Sequence, residues 1–310
     1  MQNDTQIPTI LEHEPLAKRT AWRIGGPARY YAEPTTPEEL RNLLVWAAER
    51  EEAIFVLGGG SNLLIRDSGF PGLVVRYRAR EWTIDQTDDD KALLNVQAAA
   101  PMAGTVRRVS AQGWGGLVWA EGLPGTLGGG VYGNAGCYGG DFASVLQRAW
   151  LLVPDNKGDY QLEEWSPSQL AYGYRTSSLK RQAVANPAPH GRINPLVLAA
   201  ELQLERDDPA ALEATMARIA SERKGKTPVG SSCGSVFKNP EGTSSGRLIE
   251  QAGLKGRSCG AAMVSERHAN YIVNRGGASS DDVLQLIDII RSEVLRQFGV
   301  QLELEVVVVG

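Results

Sequence analysis

Nine of the twenty residues from Glu121 to Gly140, EGLPGTLGGGVYGNAGCYGG, are glycine, and almost none carries a charge. A run this poor in side chains acts through backbone N–H groups brought close to something bulky and anionic. A flexible linker is the plain alternative. Linkers are rich in Ser and Lys, however, whereas this run spaces Leu127, Val131, Tyr132 and Tyr138 for packing, so it reads as a cradle for a phosphate and a flat ring. A second turn, Gly58-Gly59-Gly60-Ser61-Asn62, offers backbone amides and two polar side chains to a diphosphate. Standing alone it would fit a tight hairpin equally well. A dinucleotide-fold reading is disfavoured, because Leu63 occupies the third glycine position, strand follows instead of helix, and Arg76 stands where an acidic ribose ligand is wanted. Three further side chains could handle charge or protons: Arg175, cationic at any working pH, the Ser235 hydroxyl and the Glu305 carboxylate. Each has a plainer role when taken singly: a surface ion pair, a turn serine, and a solvated carboxylate beside Glu303. Cys137, Cys233 and Cys259 show no C-x-x-C spacing and His13, His190 and His268 no ligand spacing, so neither a disulfide framework nor a metal site is indicated.

The elements that must position these residues come from a chain of 310 residues, 42% hydrophobic and 22% charged, enough for about two or three domains. A net charge of −4 without a Lys/Arg cluster argues against a nucleic-acid surface. No apolar run approaches the ~18 residues of a membrane span, and the polar N-terminus has no apolar signal region. A cytoplasmic protein is therefore expected. Thr20 to Ala28 predicts a short strand broken by Gly25, Gly26 and Pro27, followed by an aromatic strand at Tyr30 and Tyr31. Thr36 predicts a helix cap, with Pro37 at the first position and a buried face of Leu40, Leu43, Leu44 and Ala47. Strands are predicted at 54–57, 63–65, 73–76, 93–98, 149–153 and 196–204, and a helix over 101–112 that stops at Gly113. A further helix begins at Pro209 with Leu212, Met216 and Ile219 on its face. A mobile loop is predicted over 225–232. The last long helix spans about 280–298, with Val283, Ile287, Ile290 and Val294 inward and Gly299 as its stop. Alternation over 300–306 predicts a closing strand with Glu303 and Glu305 on one face.

Six blocks in one order carry a family resemblance: Thr20 with Ile24 to Ala28, Leu57 to Asn62, Gly122 to Gly129 with Asn134 to Gly136, Tyr174 to Ser177, Gly234 to Pro240, and Ser265 to Asn274. Together they resemble the UDP-N-acetylenolpyruvoylglucosamine reductase family, in its short form without a tyrosine-loop insertion. The resemblance implies an α+β fold with a two-part FAD-binding region of the vanillyl-alcohol oxidase (PCMH) type, residues 1–75 and 76–206. A substrate domain, 207–310, follows, with the closing strand 300–310 able to pack back on the first part. It also implies non-covalent FAD, NADPH as co-substrate, and reduction of UDP-N-acetylglucosamine enolpyruvate to UDP-N-acetylmuramate in peptidoglycan precursor synthesis. No obligate protein partner is indicated.

An enol ether beside a carboxylate sets the demands on such a site. Hydride added to the β-carbon builds negative charge that spreads onto the carboxylate, so a fixed cation or acid is needed there, with a proton donor for the α-carbon. Carried over residue by residue, the resemblance implies Ser235 as proton donor and Arg175 and Glu305 as stabilisers of the carboxylate and intermediate. It implies substrate contacts from Tyr174, Lys226 and Asn239. The implied cofactor contacts are Gly58, Gly59, Gly60, Ser61, Asn62, Gly122, Pro124, Gly125, Thr126, Gly128, Gly129, Asn134, Ala135 and Gly136. Three departures from the family pattern stand out. No tyrosine lies between Arg175 and Leu196, Val307 replaces an arginine, and Gly130 and Cys233 replace alanines, the last two expected to be structurally mild. Two other classes remain open at this stage: another FAD enzyme on the same scaffold, for which Cys137 is the one candidate for covalent attachment, and a flavin- or nucleotide-binding protein without catalysis.

Overall fold

The computed structural model describes residues 7–155, 159–185 and 190–310. Residues 1–6 of the polar N-terminus and 186–189 of the tyrosine-free connection lie outside the described residues. The chain divides into two compact units. The described residues within Met1–Leu11, Tyr30–Gly59 and Gly72–Ser221 form the first; Glu12–Arg29, Gly60–Pro71 and Glu222–Gly310 form the second. The division after Ser221 falls inside the helix Pro209–Lys226.

In the first unit a five-stranded antiparallel sheet runs in the order Tyr160–Trp165, Leu146–Pro154, Leu196–Glu205, Lys91–Gln97, Trp82–Gln86. Ala92, Leu94 and Val96 are buried while Leu93 and Asn95 between them are less so, the period of two that a half-covered strand imposes. The covering layer consists of the helices Met102–Ser110 and Leu127–Gly133, whose Met102, Val106, Val109, Leu127 and Val131 share one core with Leu94, Ala200 and Leu202. A second core forms under the helix Pro37–Ala48. Its Leu40, Leu43, Leu44 and Ala47 are buried with Leu73 and Val75 of Phe70–Val75, a strand paired in parallel with Ile54–Val56. The Thr36 hydroxyl accepts from Glu39 N at 3.1 Å, so the helix starts where its capping residue and Pro37 place it.

The second unit is built on the helix Ser280–Phe298. Ser279 and Asp282 form a capping box at its start, and Gly299, with φ 67°, ends it. Val283, Leu286, Ile287, Ile290 and Val294 are buried against Ala262, Val264 and Ile272 of the sheet Ser258–Cys259, Ala262–Val264, Ile272–Asn274. The Asp67 carboxylate accepts from Ser280 N at 2.7 Å and Oγ at 3.0 Å, which places a negative charge at the positive end of the helix. Trp22, fully buried, donates from Nε1 to Ile272 O at 2.7 Å. The strand Val307–Val309 pairs in parallel with Leu63–Ile65.

Local predictions fail at three places. Thr20 to Ile24 is a turn after the 3-10 segment Ala17–Arg19, because the Thr20 hydroxyl donates to Ile24 O at 2.8 Å and accepts from Ile24 N at 3.3 Å, closing the backbone on itself. Residues 300–306 keep the alternation of burial but form no ladder, since Glu305 N and Val306 N both donate to one carbonyl, that of Val236. Gly225 and Lys226, expected in a loop, belong to the helix Pro209–Lys226.

Candidate active site

Four of the seven residues in Leu127–Gly133 are glycine, although an interior glycine disfavours a helix by about 0.8–1.0 kcal/mol relative to alanine. Packing outweighs propensity here. A Cβ on Gly128 would lie 2.6 Å from Ala98 Cβ, and one on Gly130 would overlap the Phe142 ring and approach Met102 Cε to 2.7 Å. The expectation that Gly130 replaces alanine mildly is therefore wrong. Gly130→Ala is expected to destabilise the protein by about 1–3 kcal/mol through overpacking, read as a lower urea midpoint at unchanged slope.

The remaining glycines behave differently. Gly58 and Gly129 are exposed, and a Cβ on either would meet only the Thr126 hydroxyl, at 3.4 Å in both cases. A Cβ on Gly133 would meet nothing within 4 Å, and one on Gly59 would lie 2.6 Å from Gly125 Cα, so the two glycine turns touch. The outcome is a face without side chains around one hydroxyl, with room for a phosphate or flat ring against the backbone. That arrangement fits a flavin nucleotide. Leu127–Gly133 is capped by Thr126, whose Oγ1 accepts from Gly129 N at 3.4 Å. Glu121 is buried at 2% exposure and accepts from Arg107 Nε at 3.0 Å, which fixes the chain just before Gly122 and Pro124.

Past the glycine helix, Asn134 adopts φ 47° and its side chain turns inward. Nδ2 donates to Asp141 Oδ2 and Gly173 O, both at 3.1 Å, and Oδ1 accepts from Ala143 N at 3.0 Å. Ala135 N donates to Gly130 O at 2.9 Å, and Gly136 packs against Asp141. Gly173 is the first residue of the turn that carries Tyr174 and Arg175. Arg175 has φ 56°, a left-handed conformation that costs an ordinary residue about 1–2 kcal/mol. Its guanidinium carbon lies 5.4 Å from the centroid of the exposed Tyr174 ring.

The other predicted site residues belong to the second unit. Gly60 has φ 67°, and a Cβ on it would overlap the Arg19 carbonyl oxygen. Ser61 is half-buried, and Asn62 Nδ2 donates to Glu305 O at 2.9 Å. Ser235 follows Gly234, whose φ is 75°, and precedes Val236, whose carbonyl accepts from Glu305 N at 2.8 Å. Lys238 N donates to Glu303 O at 2.9 Å on the same run. The fold thus brings the segments carrying Ser235 and Glu305 side by side, although they are far apart in sequence. The Glu303 carboxylate is 73% exposed and paired with Lys238 Nζ at 3.0 Å, whereas Glu305 is half-buried.

Asn270 holds this arrangement and received no role from its residue type. Its Oδ1 accepts from Phe237 N at 3.0 Å, its Nδ2 donates to Phe237 O at 2.8 Å, and its carbonyl accepts from Val236 N at 2.9 Å. The signal lay within the block Ser265 to Asn274, as a polar residue among apolar neighbours. Cys233 is buried, with its thiol donating to Leu63 O at 3.2 Å, and burial pushes its pKa up to about 12. It stays protonated beside Ser235.

Lys226 is the exposed last residue of its helix, and Asn239 Oδ1 accepts from Ser245 N at 3.1 Å at the start of Ser245–Gln251. Burial holds the His268 pKa below the ordinary imidazole value, with the positive charges of Lys255 and Lys226 adding to it and Glu250 opposing. Its Nδ1 accepts from Asn270 N at 3.3 Å. Because the folded state resists a proton that the unfolded state takes up, this group's contribution to stability is present above about pH 6.5 and is lost as pH falls below it. His268→Gln is expected to flatten the change in urea midpoint between about pH 7.5 and 5.5. An unaltered pH slope would show that another group titrates.

Among the described residues, no helix is long and apolar enough to cross a membrane, and no group of three or more His, Cys, Asp or Glu could hold a metal ion.

Residues 28–157 match the family described as FAD binding domain, and residues 226–309 match the C-terminal domain of UDP-N-acetylenolpyruvoylglucosamine reductase. The UDP-N-acetylenolpyruvoylglucosamine reductase of Chloroflexus aggregans is 52% identical over 301 residues, 97% of this chain and 98% of the relative. That of Bacillus velezensis is 35% identical over 308 residues, 99% and 96% of the two chains. Among solved structures, the same reductase from Thermus caldophilus superposes with a TM-score of 0.77 at 32% identity, covering 98% of this chain and 99% of the other. The expected fold class holds: an α+β chain with an FAD-binding region of the vanillyl-alcohol oxidase type, followed by the α+β C-terminal domain of these reductases.

Proposed function

The chain belongs to the UDP-N-acetylenolpyruvoylglucosamine reductase family, and from that premise we propose that it reduces UDP-N-acetylglucosamine enolpyruvate to UDP-N-acetylmuramate in the cytoplasm, with NADPH as hydride donor. It is a flavin-dependent oxidoreductase of peptidoglycan precursor synthesis. The proposed division is into 1–75 and 76–206, which hold FAD non-covalently, and 207–310, which serves the substrate.

FAD held there would supply two-electron hydride chemistry between NADPH and the enolpyruvyl sugar. The residues of this chain do the rest. Gly58, Gly59, Gly122, Gly125 and Thr126, with Gly129, offer backbone and one hydroxyl to the cofactor, while Gly128, Asn134, Ala135 and Gly136 shape that surface from within. Pro124 sets the entry to it. Gly60, Ser61 and Asn62 continue the first turn. Arg175 holds the substrate carboxylate, onto which negative charge spreads as hydride arrives. Ser235 Oγ gives its proton to the α-carbon, and Glu305, as a neutral acid, donates a hydrogen bond to the carboxylate side. Tyr174, Lys226 and Asn239 bind the remainder of the substrate, the last two at its diphosphate.

The observation that carries this reading is the hydrogen bond from Glu305 N to Val236 O, 2.8 Å, which places the proposed acid and the proposed stabiliser on adjoining backbone. A free serine hydroxyl is a poor proton donor near neutral pH, so the role requires a neighbour that stabilises the alkoxide left behind. The test is a product assay with NADPH and UDP-N-acetylglucosamine enolpyruvate in deuterium oxide. A product heavier by the added hydrogens, with solvent deuterium at the α-carbon, is expected. Consumption of NADPH without that product would overturn the proposal.

A further inference from the structure

Beyond the residues that meet substrate, the turn carrying Arg175 is tied to the C-terminal end of the glycine helix Leu127–Gly133 at three points. The turn is closed by reciprocal bonds, Gly173 N to Thr176 O at 3.1 Å and Thr176 N to Gly173 O at 3.2 Å. On its N-terminal side, Tyr172 Oη donates to Val131 O at 3.0 Å and Asn134 Nδ2 donates to Gly173 O at 3.1 Å. On its C-terminal side, Ser177 Oγ donates to Tyr132 O at 2.6 Å. Val131 and Tyr132 lie in the last turn of the helix, where carbonyls lose their intrahelical partners. Ser177 is fully buried, and its Oγ also accepts from Lys180 N at 3.2 Å, so both its donor and its acceptor roles are fixed. Burial, with the charge of Asp141 added, pushes the Tyr172 pKa up, so its hydroxyl remains a donor at any working pH.

A left-handed arginine persists only where the surroundings over-determine it. We propose that Ser177, together with Tyr172 and Asn134, is a positioning residue that sets the Arg175 guanidinium relative to the glycine helix forming part of the cofactor cradle. This rests on the reading of Arg175 as the cation for the substrate carboxylate. None of the three touches the reacting atoms; each acts through the backbone on either side of Arg175.

The test uses the FAD-loaded protein and the variants Ser177→Ala, Ser177→Thr and Tyr172→Phe, each compared alone and with Arg175→Gln. Misplacing a catalytic group by about 1 Å can cost 10²-fold, so Ser177→Ala is expected to slow reoxidation by the enolpyruvyl sugar about 10- to 100-fold. FAD content and reduction by NADPH should stay within about twofold of the parent protein, and Ser177→Thr should restore most of the lost rate because it restores the hydroxyl. In the Arg175→Gln background, Ser177→Ala should add less than about twofold, since a residue acting through Arg175 has nothing left to position. In the FAD-free protein, amide exchange across 174–176 should rise in Ser177→Ala and Tyr172→Phe. Full additivity with Arg175→Gln, or exchange identical to the parent in both variants, would overturn the proposal; should Ser177→Ala fail to fold, Tyr172→Phe decides by the same readouts. If Arg175→Gln alone leaves reoxidation unaltered, the functional reading of Arg175 is what fails, and the exchange result separately decides whether the three contacts hold the turn.

Discussion

Ser235→Ala is expected to accept hydride from NADPH at the rate of the parent protein and to be reoxidised by the enolpyruvyl sugar about 10²–10⁴-fold more slowly, the range typical of losing a positioned general acid. The two half-reactions separate because only the second needs a proton at the α-carbon. Substituting alanine removes the hydroxyl and leaves the backbone bonds around it, namely Val236 N to Asn270 O at 2.9 Å and Glu305 N to Val236 O at 2.8 Å. The supporting geometry therefore survives the substitution. Rapid mixing with each substrate in turn reads both rates. Equal loss in the two half-reactions would assign Ser235 a structural role, since a distorted site has no reason to spare hydride transfer.

Arg175 should show an opposition between stability and activity. Its φ of 56° belongs to the region where glycine is favoured, and there an ordinary residue is strained by about 1–2 kcal/mol. Arg175→Gly is expected to raise stability by up to about 1 kcal/mol, less than the full strain because glycine also gains freedom in the unfolded chain. The same substitution should slow reoxidation about 10²–10³-fold, the loss found when one preorganised charge-stabilising group is removed. Arg175→Lys keeps the charge without the planar fork and should recover only part of the rate. Urea midpoints and single-turnover reoxidation rates check both halves of this expectation. A destabilised Arg175→Gly would mean that the left-handed turn is not the source of strain, and a fully active one would remove Arg175 from the chemistry.

Much of the scaffold is legible in the sequence because its signals are local. Thr36 and Pro37 mark one helix start, the spacing from Val283 to Val294 marks a buried face, and Gly299 marks its end. The glycine helix was not legible. Its stability comes from Ala98, Met102 and Phe142, distant in sequence, and a window centred on Gly128 to Gly130 shows only residues that disfavour a helix. The turn at Thr20 departs from the expected strand for a related reason: a threonine suits a strand by propensity, yet its hydroxyl closes on Ile24. For residues 300–306 the period of two correctly gave which side chains turn inward, but burial alternation does not require a ladder.

At the candidate site, residue types gave Arg175, Ser235 and Glu305, with the family resemblance supplying their roles. What the sequence could not show is the machinery that holds them. Asn270, Ser177 and Tyr172 act through hydrogen bonds to backbone carbonyls and amides far along the chain, and such bonds have no spacing to recognise. The glycines likewise divide into two sets, those forced by packing and those left open, a distinction that depends on what surrounds each one.

The measurement that tests the central claim most directly is the visible absorption of the purified protein, followed anaerobically through addition of NADPH and then of UDP-N-acetylglucosamine enolpyruvate. A flavin spectrum that bleaches with NADPH and returns with the enolpyruvyl sugar is the predicted result. A spectrum that bleaches and stays bleached when the sugar is added would contradict it, leaving a flavoenzyme with a different acceptor.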